Sequence, residues 1–583
     1  MAVNGPEDII LDWDAINWRH HEDNVRRLRQ RIFTATRNGD WPQVRNLQKL
    51  MLRSRSNTLI SVRQATQRNA GRRTAGIDGE VALTSEARMG LAVQVHQTIR
   101  NWTPVAVKRV HIPKANGKTR PLGIPVIADR CHQGRVRNAL EPEWEARFEP
   151  KSYGFRPGRS CQDAIQAIHQ TSKGPLAKRL WVLDADLAAA FDRIDHDRLL
   201  DAIGSFPGRG MIRDWLKAGV IEKGKGFAPT EEGTPQGGVI SPLLMNVALH
   251  GLEDAAGVSY YTAGLKTGGV KPGRPVLVRY ADDLVALCYT REQAHQVKAQ
   301  LADWLKLRGL AFNEDKTRIA PLSEGFDFLG FTVRRYGAKL LIKPSKAAIK
   351  RFRKKIATEM RALRGTNAET VIARMSPIIR GWAAYYRSVV SGRVFSKLDT
   401  YMWQLQYKWA TWTHPNKSKD WTVKQYFGKY HATRQDRWVF GDRKSGAYLP
   451  KLSWTKIVRH QAVQDRASPD DPTLTDYWAR RRRRSRPPLD RSTLRLLQEQ
   501  NGRCDLCQGY LLHADREPNS PQQWEQWVVA TRKAITKHYV IARAERGTTN
   551  GYRLAHVHCH RRLADVGTET GKSLHPSRPE GLA

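Results

Sequence analysis

Arg279-Tyr-Ala-Asp-Asp-Leu284 sets two neighbouring carboxylates, Asp282 and Asp283, between the runs Val276-Leu-Val-Arg-Tyr280 and Leu284-Val-Ala-Leu-Cys288. Apolar, β-branched runs on either side of a polar tip predict a hairpin. Adjacent carboxylates at such a tip repel each other unless a cation lies between them, and Mg²⁺ is the expected cation. A third carboxylate is available at Asp186, which ends the strand-like run Leu180-Trp-Val-Leu-Asp-Ala-Asp186, with Phe191-Asp192 following. A lone Asp-Asp is ordinarily an exposed turn, so the elements around this one decide its meaning.

The order of those elements resembles the palm of a reverse transcriptase, in which an Asp-hydrophobic-x-x-x-Phe-Asp segment (Asp186 to Asp192) precedes a Tyr-x-Asp-Asp hairpin (Tyr280 to Asp283). The resemblance implies that Asp186 and Asp282 bind two metals, with Asp283 close by. Such a pair activates a primer 3′-hydroxyl and stabilises leaving pyrophosphate, the two-metal clamp that in-line phosphoryl transfer requires.

Composition is consistent with a polyanionic partner. Ninety-eight Lys and Arg stand against 56 Asp and Glu, a formal charge of +42 spread along the chain. Such an excess self-repels in a compact fold unless nucleic acid offsets it. The length of 583 residues predicts several domains. The polar start, with no secretory signal or membrane-length apolar run, leads to an expectation of a cytoplasmic, bacterial protein with no membrane partner, associated with the nucleoid when engaged on DNA. Six cysteines, three scattered and three near the C-terminus, argue against a disulfide framework.

Residues 1–72 carry apolar residues at helical spacing, as in Val25, Leu28 and Ile32, and predict an N-terminal helical extension. Residues 73–335 are expected to hold fingers and palm. Within them, Val107 to Lys114 and Lys118 to Pro125 flank Ala115-Asn-Gly117 and predict a hairpin with Lys114 and Arg120 near its tip. In the resembling family, matching cations grip the incoming triphosphate. Tyr153-Gly-Phe-Arg-Pro-Gly-Arg-Ser160 and Gly233-Thr-Pro-Gln-Gly-Gly-Val-Ile-Ser-Pro-Leu-Leu244 also match it. The second turn is expected beside the templating base pair, with Gln236 as a contact and glycines that allow close approach to a ligand. Phe191 corresponds to the residue beneath the sugar that disfavours a 2′-hydroxyl. Lys316 stands where a proton donor to pyrophosphate, or a phosphate contact, is expected.

Residues 336–430 turn helical. Ile378-Ile-Arg-Gly-Trp-Ala-Ala-Tyr-Tyr-Arg387, Phe395-Ser-Lys-Leu-Asp399 and His414-Pro-Asn-Lys-Ser418 resemble the thumb, or maturase, region of group II intron-encoded proteins. The resemblance implies binding of intron RNA, with Arg380, Trp382, Tyr385 and Arg387 as contacts. An aromatic helical core accounts for Trp382 and Tyr385 as well. Residues 431–494, ending in Arg480-Arg-Arg-Arg-Arg484, are expected to form a basic DNA-binding segment and linker.

Residues 495–583 contain Cys504-Asp-Leu-Cys507 and His556-Val-His-Cys-His560. Cys504, Cys507, His556 and Cys559 are the expected ligands of a structural Zn²⁺. The spacing resembles an HNH endonuclease-like ββα module, which implies His538 as water-activating base and His560 as ligand to a second catalytic metal. Two positions depart from that pattern. Lys537 stands where a metal-holding His or Asp is usual, and the central Asn falls on Gly551, with Asn550 beside it. A zinc-stabilised DNA-binding remnant is the alternative.

The expected fold is a multidomain α/β right-hand polymerase with a helical thumb and a small C-terminal zinc module. The expected function is that of a group II intron protein that binds its intron RNA, promotes splicing and makes DNA from deoxynucleoside triphosphates at a target DNA. A maturase without polymerisation, or a retron or diversity-generating enzyme, is the rival.

Overall fold

The computed structural model describes residues 12–113, 119–265, 267–431, 433–484, 487–512, 518–540, 551–557 and 559–560. It divides into two compact units, one of residues 1–329, 333–341 and 461–476, the other of residues 330–332, 342–460 and 477–583.

The first unit carries two four-stranded sheets, built from β1 (Val107–Pro113), β2 (Thr119–Ile124), β3 (Trp181–Asp186), β4 (Val220–Glu222), β5 (Gly226–Ala228), β6 (Val276–Tyr280), β7 (Asp283–Cys288) and β8 (Arg318–Pro321). One sheet runs β2-β1-β4-β5, and the other runs β6-β7-β3-β8. The hairpin expected at 107–125 is present, with Ile112 opposite Arg120. Its tip, with Lys114, lies outside the described residues.

The strands of the β6-β7-β3-β8 sheet read as apolar runs because both faces are covered. Leu183, Leu277, Leu284 and Ala286 are buried in one core with Val25, Ile32, Val44 and Met51 of the N-terminal helices Trp18–Arg37 and Trp41–Arg53. The N-terminal helices therefore share the core of that sheet instead of extending from it. The helix Ile127–Arg147 presents three buried acids toward arginines: Glu141 to Arg29, Glu143 to Arg45 and Glu145 to Arg156.

The 431–494 segment is not one linker. Residues 461–476 belong to the first unit. Val463 N–H donates to Asp163 at 2.8 Å, and Asp470 and Asp471 pair with Arg29 and Arg37 at 2.7 and 2.9 Å. These acids interrupt the basic run, and Arg29 and Arg37 capture them.

The second unit holds the helices Lys346–Ala362, Ala368–Tyr386 and Gly392–Thr413 around an aromatic core. Trp382 stacks on Phe352 at 4.6 Å and Tyr385 on Phe331 at 5.2 Å, each ring 3% exposed. Neither presents a face to a base, so their assignment as RNA contacts is corrected. Arg380 and Arg387 are half-buried. The helix Pro521–Ala534 packs along Ala368–Tyr386, and Lys355 pairs with Glu525 at 2.5 Å. A side chain at Gly381 would meet the Glu525 backbone at 2.6 Å, which accounts for the glycine of the Arg-Gly-Trp motif.

Arg29→Met leaves Glu141 and Asp470 buried without their shared cation. A loss of about 3–5 kcal/mol is expected from breaking such a pair, read as a lowered Tm, with residues 461–476 becoming the first site of proteolysis.

Candidate active site

The β6-β7 hairpin turns through Ala281 and Asp282 alone, with Tyr280 paired to Asp283. Ala281 takes φ +58°, an uncommon backbone for a residue with a side chain. Its neighbours hold it there. Arg279 and the segment Lys151–Tyr153 exchange backbone bonds of 3.0 and 2.9 Å. A Cβ at Gly154 would come within 2.2 Å of the Ala281 nitrogen, so the turn rests directly on a backbone that only glycine supplies. The buried Arg279 guanidinium donates to Asn246 at 2.9 Å and to the Ala281 carbonyl at 3.3 Å. Asn246 in turn donates to the Gly154 carbonyl at 2.8 Å.

Arg279 and Gly154 stand within the quoted motifs without an assigned role there, and Asn246 lies just beyond the Gly233–Leu244 motif. The signal was present: an arginine stands inside the apolar run Val276–Tyr280, a place where charge needs a dedicated partner.

Across the sheet, Asp186 pairs directly with Asp283 in the β3-β7 register. Asp282 occupies the adjoining tip, so the three carboxylates expected from the sequence meet at one strand end. Burial, followed by the charge of Asp186, raises the Asp282 pKa, while Arg120 and Lys316 oppose the rise. Asp283 is pushed up to about 8, first by burial and then by Asp282 and Asp186. Lys316 Nζ lies 2.5 Å from Asp186 Oδ2 and is 62% exposed, so the ammonium sits on the solvent side of the cluster. Arg120, on strand β2, is near enough to act electrostatically on Asp282.

Phe191 is buried and meets Phe155 edge-on at 6.2 Å. Its carbonyl accepts from Thr234 N–H at 2.6 Å, which joins it to the Pro-Gln-Gly-Gly turn. Gln236 gives its carbonyl to Gly123 N–H of β2 at 2.6 Å. A Cβ at Gly237 would lie 2.3 Å from the Gly123 carbonyl. Gly237 thus makes a close approach to the β2 backbone.

In the second unit, ligand atoms of Cys504, Cys507, His556 and Cys559 lie within 4.8 Å of one another. His556 Nδ1 is 3.4 Å from Cys507 Sγ and 3.8 Å from Cys559 Sγ, while Nε2 bonds the Tyr510 carbonyl at 3.1 Å. That carbonyl fixes the tautomer with Nδ1 free to ligate, the usual outer support of a metal-binding histidine. The donor set and spacing suit Zn²⁺. His538 lies on strand Ile535–Val540 opposite Arg553 of Gly551–His556. His560 lies in the short turn of helix after that hairpin, outside the four-residue cluster. Lys537 bonds Ser492 Oγ at 2.5 Å and lies 3.5 Å from Asp490.

Residues 112–333 match the family described as reverse transcriptase (RNA-dependent DNA polymerase), and residues 13–95 match its N-terminal domain. Residues 349–427 match the group II intron, maturase-specific domain. Protein YkfC of Escherichia coli is 34% identical over 322 residues, covering 50% of this chain and 83% of that protein. The chain belongs to the group II intron reverse transcriptase/maturase family. Group II intron-encoded protein LtrA of Lactococcus lactis is 39% identical over 167 residues, only 27% of either chain. Maturase-like protein 1 of Euglena gracilis is 24% identical over 370 residues, 62% of this chain and 74% of its own. Among the described residues, no helix is long and apolar enough to cross a membrane.

Gly154→Ala is expected to shift the Ala281–Asp282 turn. In a primer-extension assay the rate should fall by about 10²-fold, the cost of misplacing a reacting group by roughly 1 Å. Circular dichroism should remain unchanged.

Proposed function

We propose that this family member binds its intron RNA, promotes splicing, and copies the intron into DNA at a primed target. The observation that carries the reading is the convergence of Asp186, Asp282 and Asp283 at one strand end. Three carboxylates with two raised pKa values fit a site that divalent cations complete. Asp186 and Asp282 would hold Mg²⁺, with Asp283 beside them; the chemistry such a cation would supply there is activation of a hydroxyl and neutralisation of charge on a leaving oxygen.

The chain's own residues supply the rest. Arg120 and Lys114 bind the triphosphate as fingertip cations, where charge-assisted bonds to phosphate are strongest. Phe191 packs beneath the sugar. Gln236 faces the nascent base pair from a turn anchored on β2. Lys316 holds Asp186 and stands ready to donate a proton, or a hydrogen bond, to departing pyrophosphate. The half-buried Arg380 and Arg387 remain candidate phosphate contacts, and the intron RNA, the target DNA and deoxynucleoside triphosphates are the partners.

The C-terminal cysteines and histidine hold zinc in this reading, and the module binds DNA without cutting it. Lys537 favours that choice: it pairs with Asp490 and Ser492 at the position where a nuclease needs a metal ligand. His538 and His560 would be the base and ligand of a working nuclease. Nicking of target DNA that His538→Ala abolishes would overturn the non-cleaving assignment.

Asp282→Asn is expected to lower primer extension on an RNA template by about 10³-fold or more, the effect of several kcal/mol of metal-borne stabilisation. RNA binding should stay within a few-fold. Full synthesis by the variant would remove this carboxylate from the mechanism. Cys507→Ser should release the bound zinc, measured by elemental analysis. The zinc ligands close the loop containing the helix Pro521–Ala534, so the protease resistance of that helix should fall as well.

A further inference from the structure

On the helix Gly392–Thr413, Asp399, Trp403 and Gln406 follow one another at four- and three-residue spacing and so share a face. That face and the segment carrying Asp436 and Trp438 enclose a cavity of about 500 Å³, within the usual range for small-ligand sites. The Trp403 and Trp438 rings stand 5.8 Å apart at 87°, and Trp438 is 49% exposed. A half-exposed indole thus forms one edge of the cavity.

Two of the polar groups around the cavity are committed to the protein. Asp399 accepts from the Leu452 and Ser453 N–H groups at 2.7 and 2.9 Å. Asp436 accepts from Lys451 Nζ at 2.7 Å and from Trp438 N–H at 3.0 Å. Gln406 differs. It is 7% exposed, lines the cavity, and its carboxamide has no hydrogen-bond partner among the described residues. The carboxamide is open to the cavity and not spent on the protein, so it can offer a donor and an acceptor side by side to an occupant.

Outside the cavity, Lys397 and Arg437 are exposed neighbours of lining residues. An aromatic face, a paired donor and acceptor, and flanking cations together match one nucleobase and its adjoining phosphates. We propose that this cavity receives a single unstacked base of a single-stranded RNA. Trp438 stacks on the base, Gln406 reads its edge, and Lys397 and Arg437 contact the phosphates on either side. The site rests on the RNA-binding function proposed above and is independent of the three carboxylates.

The test uses the full chain and labelled single-stranded oligoribonucleotides of each base, with matching oligodeoxyribonucleotides. Trp438→Ala, at a half-exposed position, should weaken RNA binding about 5- to 100-fold, the loss that accompanies removal of one stacking aromatic. Gln406→Leu keeps the volume and should flatten the preference among bases. Photocrosslinks from 4-thiouridine RNA should map to the peptide containing Trp438. Wild-type affinity in both variants, or crosslinks elsewhere, would overturn the cavity assignment while leaving the polymerase reading intact. Equal loss of binding to the deoxy oligomers would assign the cavity to a DNA strand and overturn the RNA assignment. Failure of the wild-type protein itself to bind RNA would overturn the broader function.

Discussion

The pairing of Asp186 with Asp283 across β3 and β7 is the constraint on which the active site depends. Side chains alternate along a strand, so a slip of one residue would send one carboxylate to the opposite face. The register is held by apolar neighbours, Leu183 opposite Ala286 and Ala185 opposite Leu284, all buried. Catalytic geometry and core packing are thus the same property of one ladder. The repulsion concentrated at the strand end is tolerated because the core behind it is already committed. Arg279, Asn246 and Gly154 then fix the turn that carries Asp282.

A second economy concerns charge. The chain has few acids for its many bases, and several of those acids are placed inside. Glu145 and Arg156 pair at 3.0 Å, each side chain 1% exposed. Glu143 holds Arg45, and Glu141 shares Arg29 with Asp470. Pairs of this kind serve more as structural pins than as net stability, because desolvation offsets much of their attraction. With those acids drawn inward, the excess of Lys and Arg over Asp and Glu falls to the surface, the arrangement suited to a polyanion. The same pins hold residues 461–476 on the N-terminal helices.

Aromatic residues divide in a comparable way. Trp382, Tyr385 and Tyr386 form the interior of the maturase-region helices, whereas Trp438 stands half-exposed at a cavity. Both kinds occur in segments rich in arginine and aromatics, so composition did not separate them. Burial depends on which helix face meets a neighbour, and here the helix Pro521–Ala534 lies against the Arg-Gly-Trp motif from far along the chain.

The local pattern was legible without coordinates. The two apolar runs around Tyr280-Ala-Asp-Asp283, the strand ending at Asp186, the paired strands β1 and β2 and the Cys504, Cys507, His556 and Cys559 spacing each follow from periodicity or ligand type, which are properties of adjacent residues. Tertiary structure decided what depends on contacts distant in sequence. It joined Gly154 to Ala281, set Gly237 against β2, buried Trp382 and Tyr385 in a core, and opened Gln406 to a cavity. A sequence specifies the period of its side chains, but which side of each element is covered is settled only when the elements pack.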